Sequence, residues 1–265
     1  MRNHGGMTPF LPENKKYGAE SFFRPESLLR EARRQKKLKC CRIPEICLLD
    51  PDGDIIRYLR KKHLLKLNKC WACYHTELYN FRYKGLEFGI IGCVVGAPFA
   101  VLVAEELFIS GTDLLISMTS AGKTGDFNPG TRFMLIEKAI RDEGTSYHYL
   151  RPSLFSCIDE KLLADIKKKL PGLETGITWT TDSPFRETEA AIKFAKNKGA
   201  LAVEMEAAGL YAFARAKKKK VICVAHLTNN LGREEGDFEK GLENGSIESL
   251  EIIYRIVRPL IIKGH

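Results

Sequence analysis

Apolar positions fall along the chain in two kinds of short run, and the kind of run sets the element expected. Continuous apolar stretches at 45–49, 113–118 and 221–227 read as buried strands, and the last of these, Val-Ile-Cys-Val-Ala-His-Leu, is the most convincing. Thr175–Thr181 reads as a further strand, and 132–140 as a strand or a short helix. Two strand-like runs, 78–83 and 86–95, flank Lys84-Gly85 and suggest a hairpin. Helical spacing of Ile55, Leu59 and Leu64 or Leu65 predicts a helix over 54–65. Pro98 suits a first helical turn and opens a helix reaching about Ile109. Further helices are predicted over 161–170, 187–197 and 247–262, while 200–204 is a strand running straight into a helix that ends at Ala216. The N-terminal stretch is polar and basic, with one helix over Pro25–Leu38 whose apolar side carries Leu28, Leu29 and Ala32. Strands alternating with helices through short connections imply an α/β protein, a three-layer α/β/α single domain around a mixed sheet. The chain divides into a basic extension, 1–42, and an α/β domain, 43–265.

Composition narrows the class without choosing a function. With 44% hydrophobic residues among 265, the chain has too much apolar content to be disordered. Its 42 Lys and Arg against 33 Asp and Glu give a formal charge of +9, compatible with nucleic acid, anionic metabolites or a membrane surface. The basic runs Arg33–Lys37 and Lys217–Lys220 lack interleaved aromatics and read better as solvated turns, so a nucleic-acid partner is not expected. No charged lead into an apolar segment opens the chain, and the uncharged run Phe88–Ala104 is broken by Gly and Pro. A soluble, cytoplasmic protein without a membrane partner is therefore expected. Cys47, Cys93 and Cys223 sit in apolar runs and read as small hydrophobes. Cys70-Trp71-Ala72-Cys73, with Cys40-Cys41 upstream, offers donors for zinc, but an adjacent pair diverges on a strand. Unrelated thiols are the plainer reading, and neither a disulfide scaffold nor a metal is expected.

Ligands in α/β sheets gather at the carboxyl ends of strands, and four segments there could carry chemistry. They are the small hydroxyl run Ser117–Gly122, the segment Thr180–Glu187, the acid pair Glu204-Met205-Glu206, and Thr228-Asn229-Asn230. The acid pair is the most informative, because an unpaired buried carboxylate is costly and these two lie in an apolar context. One reading is a structural Glu that caps the following helix or pairs with a Lys. The other is a carboxylate that accepts two hydroxyl protons from a ribose, with Met205 as an apolar floor.

Val203-Glu204-Met205-Glu206-Ala207-Ala208 resembles the ribose-binding signature of the family 1 nucleoside phosphorylases and nucleosidases. Gly96-Ala97-Pro98, followed by Glu105-Glu106-Leu107, is similar to the family's glycine-rich turn and helix, and Leu114–Gly122 to its next strand and turn. Arg141–Tyr149 and Thr181–Glu187 look closest to the uridine phosphorylase branch. The resemblance spans roughly 46–260 and leaves the basic extension outside it. It implies an enzyme that cleaves the N-ribosidic bond of a nucleoside, assembled as a homo-oligomer (a dimer or a trimer of dimers). It implies no cofactor, with inorganic phosphate as a possible co-substrate. By the same resemblance Glu206 would bind the ribose 2′- and 3′-hydroxyls, Met205 would pack on the sugar, and Glu204 would support the junction. Ser120 would touch ribose and phosphate, with Gly122 on the same substrate-binding turn, and His148 would reach the 5′-hydroxyl, often across a subunit interface. Phe185 would stack on the base and Arg186 would bond a base carbonyl. Asn229 would face the leaving base, where it could hydrogen-bond but not protonate.

Departures from the family pattern concern phosphate. Phosphorolysis uses a glycine-aspartate-proline turn with an arginine, and a second arginine further on. This chain has Asp50-Pro51-Asp52-Gly53-Asp54 at the first place and Ser117 at the second. A carboxylate ~4 Å from phosphate costs a few kcal/mol at an effective dielectric of ~20, where an arginine would gain as much. Arg57, Arg82, Arg132 or a neighbouring subunit could restore the charge. Phosphate and water both stay open as acceptors. Asp50, Asp54 or Asp182 could orient a water, or serve as turn residues and caps. A nucleoside-binding protein without turnover is the remaining alternative.

Overall fold

In the computed structural model, which describes residues 15–39, 41–128, 130–229 and 240–261, the alternating runs become strands and helices in the expected order. They are α1 (Pro25–Gln35), β1 (Ile46–Asp50), α2 (Asp54–Lys61), β2 (Lys66–Leu67), β3 (Tyr79–Tyr83), β4 (Leu86–Gly92), α3 (Ala97–Ser110) and β5 (Leu114–Lys123). There follow β6 (Phe133–Asp142), β7 (Phe155–Cys157), α4 (Glu160–Lys169), β8 (Thr175–Thr181), α5 (Glu189–Asn197), β9 (Ala200–Glu204), α6 (Ala207–Lys217), β10 (Lys220–Asn229) and α7 (Ser246–Ile261).

All the strands belong to one mixed sheet with helices on both sides, as the α/β/α reading expects. β5 pairs in parallel with β10, β10 runs antiparallel to β6, and β6, β8 and β9 follow in parallel. β9 then returns to β5 through Gly122 and Val203, so these five strands close on themselves. β1, β4, β3 and β2 extend from β5 as an open flank. The core lies between this sheet and the helices α3 and α6. Residues 207–214 of α6 are all buried, and a helix that is apolar all round belongs in an interior. α6 crosses α3 closely because residue 209 is Gly: an added Cβ would stand 2.8 Å from the Ala97 Cβ.

Three expectations change. The hydroxyl run Thr119–Gly122 is not a turn but the second half of β5, because β10 and β9 both pair with it there. β10 likewise runs on through Thr228 to Asn229, and 132–140 resolves as the strand β6. β7, three residues long, carries too short an alternation to be seen in sequence.

The third change concerns the cysteines. Cys70 is not an unrelated thiol but is joined to Cys41 in a disulfide, while Cys73 stays free. Two chain segments that sequence could not place side by side meet here, since α1 docks on the loop after β2. Leu29 and Ala32 of α1 pack on Ala72 and Leu38 as a small core of their own. Among the described residues no cluster of His, Cys, Asp or Glu could hold a metal ion, and no helix is long and apolar enough to cross a membrane.

Candidate active site

Where β9 passes into α6, the chain presents two buried carboxylates that do different work. Glu204, the last residue of β9, accepts the backbone N–H groups of Glu206 and Ala207, both at 2.7 Å. Its other oxygen accepts the hydroxyls of Thr178 (3.0 Å) and Thr180. Thr180 in turn accepts the N–H of Ala208 at 3.0 Å. Glu204 therefore satisfies the first turn of α6, which explains how a carboxylate persists in this interior.

Glu206 has less local duty. It accepts the Gly96 N–H at 2.7 Å and the Thr119 hydroxyl at 2.6 Å, and it is 2% exposed. Burial first, and then the negative charge of Glu204, push its carboxyl above the ordinary range. Burial raises Glu204 as well, against the pull of its hydrogen bonds. A carboxylate has about four acceptor directions, and Glu206 spends two on the protein. The remaining capacity is what a sugar diol would use. Met205 between the acids and Ser120 on β5 are half-buried.

The acidic turn after β1 faces this pair. Asp50 is buried, caps α2 by accepting the Ile56 N–H at 2.9 Å, and is pushed by burial to about 7. Asp52 and Asp54 both bind Lys240, the Asp54 bond being 2.7 Å long. Arg57 donates to Asp54 at 2.8 Å and to the Asp52 carbonyl at 2.7 Å. The charge of Asp52 reaches Glu206 and adds to the upward pressure on its carboxyl. Of the three arginines weighed for phosphate, only Arg57 lies at this turn. Arg132 pairs with Glu248 at 2.7 Å, and Arg82 stands opposite Glu87 in the hairpin. Ser117 is buried inside β5.

His148 ends a 3-10 turn, Thr145–His148, that Arg141 pins from below. The Arg141 guanidinium donates to Ser146 Oγ at 2.8 Å, to the Arg151 carbonyl and Ser153 Oγ at 2.7 Å each, and to the Leu150 carbonyl at 3.1 Å. His148 Nδ1 lies 2.9 Å from Lys15 Nζ, and burial, then Lys15, lower its pKa. It opens onto a cavity of about 530 Å³ walled by Phe23, Pro25 and Leu28 on one side and by Pro98 and Val101 of α3 on another.

The loop after β8 is less committed. Phe185 is 99% exposed and Arg186 is exposed on the short turn Pro184–Arg186, so the base-recognition candidates point into solvent. Asp182 accepts the Gly144 N–H at 2.9 Å, tying this loop to the turn that carries His148. Asn229 ends β10 opposite Gly122, and its amide donates to Thr228 Oγ at 3.1 Å. Asn230 lies outside the described residues.

The sequence profile of the Phosphorylase superfamily matches residues 48–258. The chain belongs to the phosphorylase superfamily. A uridine phosphorylase of Thermococcus kodakarensis is 27% identical over 155 residues, covering 49% of this chain and 53% of that protein. The chain spans about half the length of the first curated relatives it matches. Among solved structures, uridine phosphorylase from Vibrio fischeri superposes with a TM-score of 0.64 at 21% identity, over 86% of this chain and 97% of that one. The Helicobacter pylori 5′-methylthioadenosine/S-adenosyl homocysteine nucleosidase gives 0.65 at 16% identity, over 82% and 99%. At these identities the two structures speak for the superfamily fold alone.

Thr119, Thr180 and Gly96 lie in segments the sequence singled out, but their roles, and Thr178 and Lys240 altogether, were not foreseen. Thr119 and the Gly96 N–H hold Glu206, Thr178 and Thr180 hold Glu204, and Lys240 holds the acidic turn. The threonines are recognisable only once the parallel register of β8 and β9 places Thr180 beside Glu204. Lys240 is separated from the turn by most of the chain and leaves no local signal.

Proposed function

We propose that this superfamily member cleaves the N-ribosidic bond of a nucleoside and that water, rather than phosphate, accepts the ribosyl group. The observation that carries this reading is the acidic turn. Where the resemblance expects a phosphate cradle, the turn holds three carboxylates, Asp50, Asp52 and Asp54. Among the described residues the cations at the turn, Arg57 and Lys240, are already paired to it, Lys240 to Asp52 and Asp54 and Arg57 to Asp54 and the Asp52 carbonyl. A phosphate dianion would have to break those pairs and sit against the remaining negative charge.

Hydrolysis asks for the opposite environment. Departure of the base leaves an oxocarbenium-like sugar, which neighbouring carboxylates stabilise. Glu206 would hold the 2′- and 3′-hydroxyls over the Met205 side chain, with Glu204 fixing the junction and Ser120 and Gly122 lining β5. Asp52, the turn carboxylate whose charge reaches Glu206, would hold the attacking water. Nucleoside and water then give free base and ribose. Asn229, Phe185 and Arg186 would meet the base, and Asp182 would set the loop that carries the last two. The full exposure of Phe185 suits completion of the site by a second copy of the chain.

The test is the sugar product. Proton and phosphorus NMR of a reaction run in phosphate buffer should show free ribose, and Asp52→Asn should lower kcat by roughly 10²–10⁴. Ribose 1-phosphate as the product would overturn the reading.

A further inference from the structure

α1 lies against α3, and its side-chain hydrogen bonds to the rest of the fold gather on one short loop that the disulfide holds. Arg33 donates to the Cys70 carbonyl at 3.3 Å, Lys36 donates to the Cys73 carbonyl, and Tyr74 donates to Gln35 at 2.9 Å. The apolar contact of α1 is with Ala72, between the same two cysteines. Ahead of α1 the chain supplies Phe23 to the cavity at His148 and Lys15 to the imidazole itself, and α1 adds Pro25 and Leu28 to the same wall. We infer that Cys41–Cys70 is a redox-reversible bond, reducible by a dithiol, that locks this N-terminal segment over the His148 cavity.

The chemistry fits the placement of the sulfurs. Cys41 is exposed and Cys70 half-buried, so an outside thiolate meets the Cys41 sulfur first. Its attack forms a mixed disulfide on Cys41 and releases Cys70 as a thiolate, which takes up a proton. The second thiol of the reductant then attacks its own sulfur in the mixed disulfide and releases Cys41. The protein gains two electrons and two protons, and the dithiol leaves as a disulfide. Cys73 does not short-circuit this exchange: its thiol is 1% exposed and faces the wholly buried Glu106 carboxyl, which disfavours the thiolate. With the bond open, α1 is held by its small core, its surface hydrogen bonds and its packing on α3, with no covalent tie.

Differential alkylation and mass spectrometry of the air-purified chain should find Cys41 and Cys70 protected until dithiothreitol is added. Reduction should then speed tryptic cleavage within 15–38 by roughly 30-fold, the lower end of what a crosslink typically confers. It should also raise the titration midpoint of His148 by NMR, as Lys15 and the covering residues leave. Cys70→Ser should show the fast cleavage without reductant and no response to it. If that variant fails to fold, wild-type protein with and without dithiothreitol makes the same comparison. Labelling of Cys41 and Cys70 before reduction, or cleavage unchanged by it, would overturn the proposal. None of these readouts depends on catalysis, so they stand apart from the hydrolase reading.

Discussion

Replacing Glu206 by Gln tests the ribose-binding role with the least disturbance of shape. Gln keeps a carbonyl that can accept from Gly96 N–H or Thr119, but it loses the charge and one acceptor. A hydrogen bond to an ionised group contributes about 1.5–3 kcal/mol, and two sugar hydroxyls are at stake. With one partly retained, the loss is about 2–4 kcal/mol, or roughly 30- to 1,000-fold in kcat/KM. Stability should move the other way. The Glu206 carboxyl is raised in the folded state, so its favourable contribution is complete below the unfolded carboxylate pKa and is lost as pH rises through the folded value. Gln has no proton to lose, so the variant should match wild type near pH 5 and melt at an equal or higher temperature near pH 8. Chromatographic base release over a nucleoside panel gives the first quantity, and thermal unfolding at the two pH values gives the second. A variant within about three-fold of wild type in kcat/KM would refute the ribose role. A Tm lowered by more than about 8 °C at pH 8 would show instead that Glu206 is chiefly structural.

Other positions give independent tests. His226 is buried, stacks on Phe133 at 4.7 Å and has its pKa lowered to about 4, chiefly by burial and then by Lys240. The unfolded state therefore takes the proton first, and stability should fall by roughly 3 kcal/mol as pH drops from about 6.5 to 4, measured by urea unfolding. His226→Phe should flatten that acid limb. Arg141→Lys should lose most of the guanidinium bonds under the His148 turn, lowering stability by about 2–4 kcal/mol and raising KM for a nucleoside. Gly209→Ala should force α6 away from Ala97 and destabilise the fold by about 1–3 kcal/mol in denaturant titration.

Much of the fold was legible because its strands are continuous apolar runs and its helices carry a clear period. The 221–227 stretch became β10, Lys84-Gly85 joined β3 to β4, and Pro98 opened the first turn of α3. What sequence could not give were the pairings. Thr119 looked like part of a turn because its run of small residues is not a continuous apolar one, yet β10 pairs with it and holds it in β5 beside Glu206. The acid pair was recognisable as a site, and the resemblance already set Glu204 in a supporting role; what sequence did not show were the partners, the α6 N–H groups on Glu204 and the Gly96 N–H on Glu206. Asp50-Pro51-Asp52-Gly53-Asp54 announced an altered phosphate turn, while Lys240, its partner, comes from a distant segment. Cys41 and Cys70 were missed for the same reason, since a crosslink over 29 residues depends on how α1 docks.

Base release from a nucleoside panel, followed by chromatography with and without inorganic phosphate, tests the central claim most directly. Release at the same rate under both conditions, with free ribose as the second product, is expected of a site in which Arg57 and Lys240 are already paired within the acidic turn. Release that requires phosphate would contradict it.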